Sequence, residues 1–136
     1  MDTEELVVET GGRPAAVDIS ADLARFASRQ GRDGLLSVFV PHATAGLAII
    51  ETGAGSDQDL LTAIDQLLPA ERGRWHHEHG SPGHGRDHVL PAFISPSVTI
   101  PVVAGRMTLG TWQSVVLVDT NVDNQTRKVR LSFIAG

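Results

Sequence analysis

The chain has 136 residues, 41% of them hydrophobic and 20% charged, with a formal net charge of -5. That size and apolar content give one packed domain over residues 1–136 and exclude a disordered chain. The acidic balance leaves no clustered Lys and Arg footprint for nucleic acid, and the absence of cysteine excludes disulfides, thiolate catalysis and thiolate metal sites.

The opening run Met1-Asp2-Thr3-Glu4-Glu5 is acidic and lacks the apolar core of a signal peptide. No stretch approaches the ~18 apolar residues of a membrane span, so a soluble cytoplasmic protein is the expectation. Glu5 to Thr10 reads as a strand closed by Gly11-Gly12, and Ala15 to Ile19 as a second short one. Ser20 stands where an N-cap belongs, Leu23, Phe26 and Ala27 share a helical face, and Gly31 suits a C-cap. The first helix is therefore predicted over Ala21 to Gln30. Leu35 to Val40, bounded by Gly34 and Pro41, reads as a buried strand. The small residues of Pro41-His42-Ala43-Thr44-Ala45-Gly46 suit a turn or a close approach. Leu47 to Ile50 follows as a strand with Glu51 at its end.

Ser56 and Asp59 imitate a capping box. Leu60, Leu61, Ile64, Leu67 and Leu68 recur at helical spacing, which predicts an amphipathic helix over Asp57 to Leu68, ended by Pro69. Glu71 to Asp87 has no apolar period and is rich in glycine; a loop of that length is usually functional or mobile. Val98 to Val103 and Met107 to Leu109, joined at Gly105-Arg106, predict a hairpin. Val115-Val116-Leu117-Val118 is apolar on both faces, as in a central strand. Thr126 to Ile134 alternates, with Val129, Leu131 and Phe133 on one side and Lys128, Arg130 and Ser132 on the other. These elements make an α+β fold, mainly an antiparallel β-sandwich with two main helices packed outside.

Candidate chemistry centres on histidine. Five of the six imidazoles lie between His76 and His88, and neutral imidazole is the commonest metal ligand as well as an acid, base or anion donor. In an extended Trp75-His76-His77-Glu78-His79 segment, His77 and His79 would share a face and His76 point away. The i, i+4 spacing of His84 and His88 is discounted as a zinc signature, because Pro82, Gly83 and Gly85 argue against a helix there. The plainer reading is a solvated histidine-rich loop.

Two blocks carry a resemblance. The first is Pro41-His42-Ala43-Thr44-Ala45-Gly46-Leu47-Ala48-Ile49-Ile50-Glu51. The second runs from Pro96-Ser97-Val98-Thr99-Ile100-Pro101-Val102 through Gly105-Arg106-Met107-Thr108-Leu109-Gly110-Thr111-Trp112-Gln113. They resemble the two signature stretches of the YjbQ-like family, the secondary thiamine-phosphate synthase family, and a looser match extends over nearly the whole chain. The resemblance implies a metal-binding or catalytic cluster of His42, His77 and His88 in a cleft at a homotrimer interface. It also singles out Glu51, Trp112 and Gln113. Departures are Ala43 for a hydroxyl residue and Leu90 for a lysine, followed by Pro91, so Val89 to Ile94 should be less polar and less helical.

Three neutral imidazoles suit a divalent metal, zinc above others, with an open fourth position for water. Glu51 would act as general base or accept an imidazole N–H, or merely cap the next turn. Gln113, polar in an apolar strand, needs a partner: a substrate or a neighbouring backbone. Thr44 and Trp112 are candidates to hold a small phosphorylated or anionic molecule, although an aromatic on a strand more often packs in a core. Arg127 and Arg130 are either phosphate contacts or a solvated strand face. The functional expectation is a trimeric enzyme with a metal-associated histidine site. It would have secondary thiamine-phosphate synthase activity or be a metal-dependent hydrolase. The alternative is a non-catalytic trimeric module that binds a metal or an anion.

Overall fold

The computed structural model describes residues 1–136. The elements run β1 (Asp2–Glu9), β2 (Ala15–Asp18), α1 (Ser20–Gln30), β3 (Gly34–Phe39), β4 (Ala45–Ile50), α2 (Ser56–Leu67) and α3 (His84–Asp87). A 3-10 turn (Leu90–Ala92) follows, then β5 (Ser97–Val103), β6 (Arg106–Met107), β7 (Ser114–Asp119) and β8 (Thr126–Ala135). All strand pairings are antiparallel and fall into two sheets, ordered β1-β8-β3-β5-β6 and β2-β7-β4.

The layering follows from strand periodicity. In β7, Val115 and Leu117 face the space between the sheets, where they meet Leu36 and Val38 of β3 and Leu131 and Phe133 of β8. Val116 and Val118 face the other way and pack with Ile64 and Leu68 of the α2 region and with Leu90. A strand apolar on both faces is thus the middle layer of three, which is the central strand the sequence predicts. Each fully buried Val or Leu of this kind contributes about 1.5–3 kcal/mol. Helix α1 closes one end of the sandwich through Leu23, Phe26 and Ala27 and stops at Gly31, whose φ of 63° is the left-handed C-cap expected there.

Boundaries differ from the sequence reading where capping is concerned. Ser20 is the first residue of α1, not its cap, and Ile19 holds the cap position without a side-chain bond. The Ser20 hydroxyl instead accepts the Val115 N–H at 2.8 Å, tying α1 to β7. The capping box at Ser56 does not form; Gly55, at φ 106°, starts α2. The hairpin is shorter than expected, with β6 only Arg106–Met107 and Leu109 beyond it. Val89 to Ile94 shows the reduced helicity expected of it, as a single 3-10 turn. No helix is long and apolar enough to cross a membrane.

Candidate metal centre

Beyond Leu68 the chain runs irregularly and returns against its own path. Trp75 anchors that return, its indole N–H donating to the Pro69 carbonyl at 2.8 Å. Gly83, at φ 90°, turns the chain into α3. Gly85 lets α3 lie flat on the histidine segment. A Cβ there would sit 2.4 Å from the Trp75 Cβ and 2.7 Å from the His77 carbonyl oxygen, closer than atoms pack. The glycines that argued against a helix in the sequence are thus what allow α3 to form and dock. His84 and His88 do occupy successive turns, with ring centroids 4.6 Å apart.

Buried polar side chains hold α3 in place. The Arg86 guanidinium donates to the Leu68 carbonyl and the Asp65 carboxylate, both at 2.9 Å, and to Asp87 at 2.8 Å. Asp87 accepts further bonds from the Thr120 hydroxyl at 2.6 Å and the Asn121 amide at 3.2 Å. Every charge taken from water here is matched, the condition under which such burial is tolerated.

Four imidazoles converge as a result. The His77 ring lies 4.9 Å from His79, 5.0 Å from His84 and 4.5 Å from His88, and His79 lies 4.1 Å from His84. The ligating nitrogens of His77, His79 and His84 all fall within 4.8 Å of one another. The Nε2 atoms of His77 and His84 are 3.2 Å apart. Two imidazoles bound tetrahedrally to one ion at Zn–N lengths of ~2.0–2.1 Å place their nitrogens roughly 3.3 Å apart. His77 and His84 therefore already have the spacing of a ligand pair, and the donor set fits a borderline-soft divalent ion.

A polar pocket of about 180 Å³ opens beside the cluster, lined by His42, Thr44, His84, His88, Asn124 and Arg127 among others. Beneath the lining, Arg127 is ion-paired with Asp119, their side chains 1% and 0% exposed. The Thr44 hydroxyl donates to the same Asp119 carboxylate at 3.0 Å. Desolvation holds the His88 imidazole below its ordinary value, with the His84 and His77 charges adding to the effect and Asp87 opposing it. Desolvation, then Arg127, likewise depresses His42, against the pull of Asp119.

Of the residues singled out in the sequence, His77 belongs to the close trio and His88 meets it edge to face. His42 stands on the pocket wall, where its Nε2 accepts the Lys128 N–H at 3.0 Å. Thr44 is buried in the pocket floor. His79 and His84 complete the trio, although the sequence reading gave them no ligand role. Glu51, Trp112 and Gln113 lie elsewhere. The β4–β7 register places Ala45 opposite Asp119 at the histidine end and Ile50 opposite Ser114 at the other. Five residues of strand separate these ends by about 17 Å. Glu51 is exposed there, and Trp112 is 74% exposed on a turn rather than packed in a core. Gln113 finds its partner locally, its side-chain oxygen accepting the Gly110 N–H at 2.8 Å. Gly46 is small because a Cβ would come within 2.1 Å of the Ile94 carbonyl oxygen, so it serves packing.

The sequence reading missed Arg86, Asp87 and Asp119, and it placed Arg127 on a solvated face more readily than in a site. For Arg127 the signal was present: period two puts it on the same side as Val129, Leu131 and Phe133, and all four are buried.

The fold and the site together define a class: an antiparallel β-sandwich whose irregular connection delivers a histidine cluster to one sheet end. The chain belongs to the UPF0047 protein YjbQ-like family, whose family model matches residues 4–136. It is 57% identical to the UPF0047 protein Rv2556c of Mycobacterium tuberculosis over 136 residues, all of both chains. A UPF0047 protein of Archaeoglobus fulgidus is 32% identical over 125 residues, 92% of this chain and 95% of that one. Among solved structures, the hypothetical protein APE1520 of Aeropyrum pernix K1 matches with a TM-score of 0.88 at 32% identity, over the full length of both chains. A YbjQ-like protein of Sulfolobus solfataricus, at 24% identity, shares the fold with a TM-score of 0.91 over 99% of this chain and 97% of that one.

Proposed function

We propose that the pocket is a metal-dependent catalytic site for a small anionic or phosphorylated molecule, in a chain that assembles as a homotrimer. The observation that carries this reading is the approach of the His77 and His84 Nε2 atoms to 3.2 Å, with His79 beside them. An all-imidazole donor set suits Zn²⁺ and disfavours Mg²⁺, which takes oxygen ligands. Such an ion supplies Lewis-acid activation of water or of a phosphoryl oxygen. His88, biased toward the neutral form, flanks the position as a proton acceptor, while His42 spends its one acceptor nitrogen on the Lys128 N–H. Asn124 offers amide N–H groups to an anion held in the pocket, with the positive charge of buried Arg127 behind it. Thiamine-phosphate synthesis expels pyrophosphate, a departure that oxygen-ligated Mg²⁺ normally assists. The histidine donors favour metal-assisted hydrolysis as the main reaction, with the synthase reaction secondary.

Assembly is part of the proposal. Only a neighbouring copy would bring Glu51, Trp112 and Gln113 to a histidine pocket about 17 Å away in strand length. Head-to-tail contacts between unlike surfaces close into a ring of three when each step rotates by a third of a turn. The exposure of Leu67, Phe93 and Trp112, at 77%, 72% and 74%, fits surfaces awaiting a partner.

A non-catalytic binding module is the second reading. Its support is the His88 ring, whose centroid lies 4.5 Å from that of His77 and 4.6 Å from that of His84; a turn of that ring toward the ion would supply a fourth protein ligand and close the coordination sphere. Cobalt substitution separates the two. Visible absorption bands that change on adding inorganic phosphate indicate an open position and support catalysis. Bands indifferent to phosphate indicate a closed, structural site. Untagged protein should carry roughly stoichiometric zinc, and His77→Ala should lose it; metal-free wild-type protein after zinc incubation sinks the reading. Sedimentation equilibrium tests the trimer.

A further inference from the structure

We infer that Asp123 is the positioning residue of the metal site: it holds His84 as the Nδ1–H tautomer and thereby aims the Nε2 lone pair at the metal position. This rests on the metal reading above. His84 Nδ1 lies 3.4 Å from the Asp123 carboxylate, while Nε2, on the opposite side of the ring, faces His77. A histidine can ligate through Nε2 only when that nitrogen carries no proton, and the hydrogen bond at the other nitrogen decides the tautomer.

The carboxylate is itself fixed. One oxygen accepts the Ser81 hydroxyl at 2.6 Å, and the other accepts the Asn121 amide at 3.2 Å. The Asp123 N–H returns a bond to the Asn121 side-chain oxygen at 3.0 Å. Asn121 is anchored from below, its amide donating to buried Asp87 and its backbone N–H to buried Asp119 at 2.8 Å. The orientation of His84 is therefore set by a continuous path from the buried charges, through Asn121 and Asp123, to the imidazole. An ordinary surface carboxylate would have no such backing. Ser81, two residues before α3's cap, clamps the same carboxylate from the histidine segment, so the acid joins the β7–β8 connection to the loop bearing His77 and His79.

Two measurements test the role, one of them without metal. In the metal-free wild-type protein, long-range ¹⁵N–¹H spectra at a pH where the imidazoles are neutral should show His84 as the Nδ1–H tautomer. Finding the Nε2–H form, the solution default, overturns the inference. Zinc dissociation constants by chelator competition should rise ~10–100-fold in Asp123→Ala, with part of the loss restored in Asp123→Asn, whose amide oxygen still accepts the N–H. Wild-type affinity in Asp123→Ala overturns the positioning role. Should that variant fail to fold, Ser81→Ala, which keeps the acid but loosens it, should still weaken zinc binding, and unchanged affinity there counts against the role equally. An Nδ1–H tautomer in a wild-type protein that takes up no zinc overturns the metal reading and the positioning role with it.

Discussion

The two ends of β7 handle polarity in opposite ways. At the Asp119 end a carboxylate and a guanidinium are sealed from water and matched by Thr44, Asn121 and the strand backbone. At the Ser114 end, Asp18, Thr52 and Ser114 form a comparable hydrogen-bonded group at 3.0 and 3.2 Å, but at the surface. Water can replace any partner lost at the Ser114 end, whereas nothing replaces one lost at the Asp119 end. The difference explains why the histidine pocket sits where it does: buried charges tolerate only one arrangement, and side chains built on them inherit that order.

Splitting the buried pair should have the largest effect. Arg127→Met leaves the buried Asp119 carboxylate without its counter-charge, though Thr44 and Asn121 still donate to it, and should cost about 3–5 kcal/mol, read as a lower urea midpoint. A wedge at the site comes next. Gly85→Ala forces α3 off Trp75 and His77 and should cost ~1–3 kcal/mol, with zinc affinity falling in parallel by competition titration. At the opposite end, Thr52→Ala removes bonds to Asp18 and Ser114 that water can substitute, and should change stability by about 1 kcal/mol or less. A loss as large as that of Arg127→Met would erase the distinction.

The pH response sharpens the contrast through its two windows. His42 and His88 lie below their ordinary value of 6.5 in the folded chain. The unfolded chain therefore takes up protons first as pH falls, and stability at neutral pH declines from there downward. Asp18 is pulled below its ordinary 3.8 by Ser20, Thr52 and Ser114, against desolvation. Its contribution is present above that value and is lost as pH falls from there through the lower folded-state value. Thermal melts of the metal-free protein should show two separate losses, with His88→Gln diminishing only the upper one.

Most of the framework was legible because hydrophobic periodicity reports burial directly. The β7 run gave the central strand, the α2 leucines gave their helix to within a residue, and Gly31 gave the end of α1. Caps failed because local signals compete with tertiary ones: Ser20 spends its hydroxyl on Val115, and Gly55 starts α2 without any side-chain bond. At the site, the histidine tract marked a cluster able to hold a metal ion, but the trio depended on α3. The sequence rule against glycine in helices hid that element, because the need for Gly85 arises from Trp75 and His77 packing against it. Asp87 and Asp119 were invisible for a similar reason: nothing local marks an acid whose partners lie far along the chain.

The placement of the two tryptophans gives the protein a built-in optical gauge. Trp75 is partly enclosed against Gly85 and next to the histidines, while Trp112 stands in solvent at the remote sheet end. Their emission is consequently split by environment, with the blue-shifted share belonging to the residue that touches the α3 docking surface. Loosening of the histidine segment turns that share red while Trp112 serves as an internal reference, so the condition of the pocket is readable in the native chain without a label.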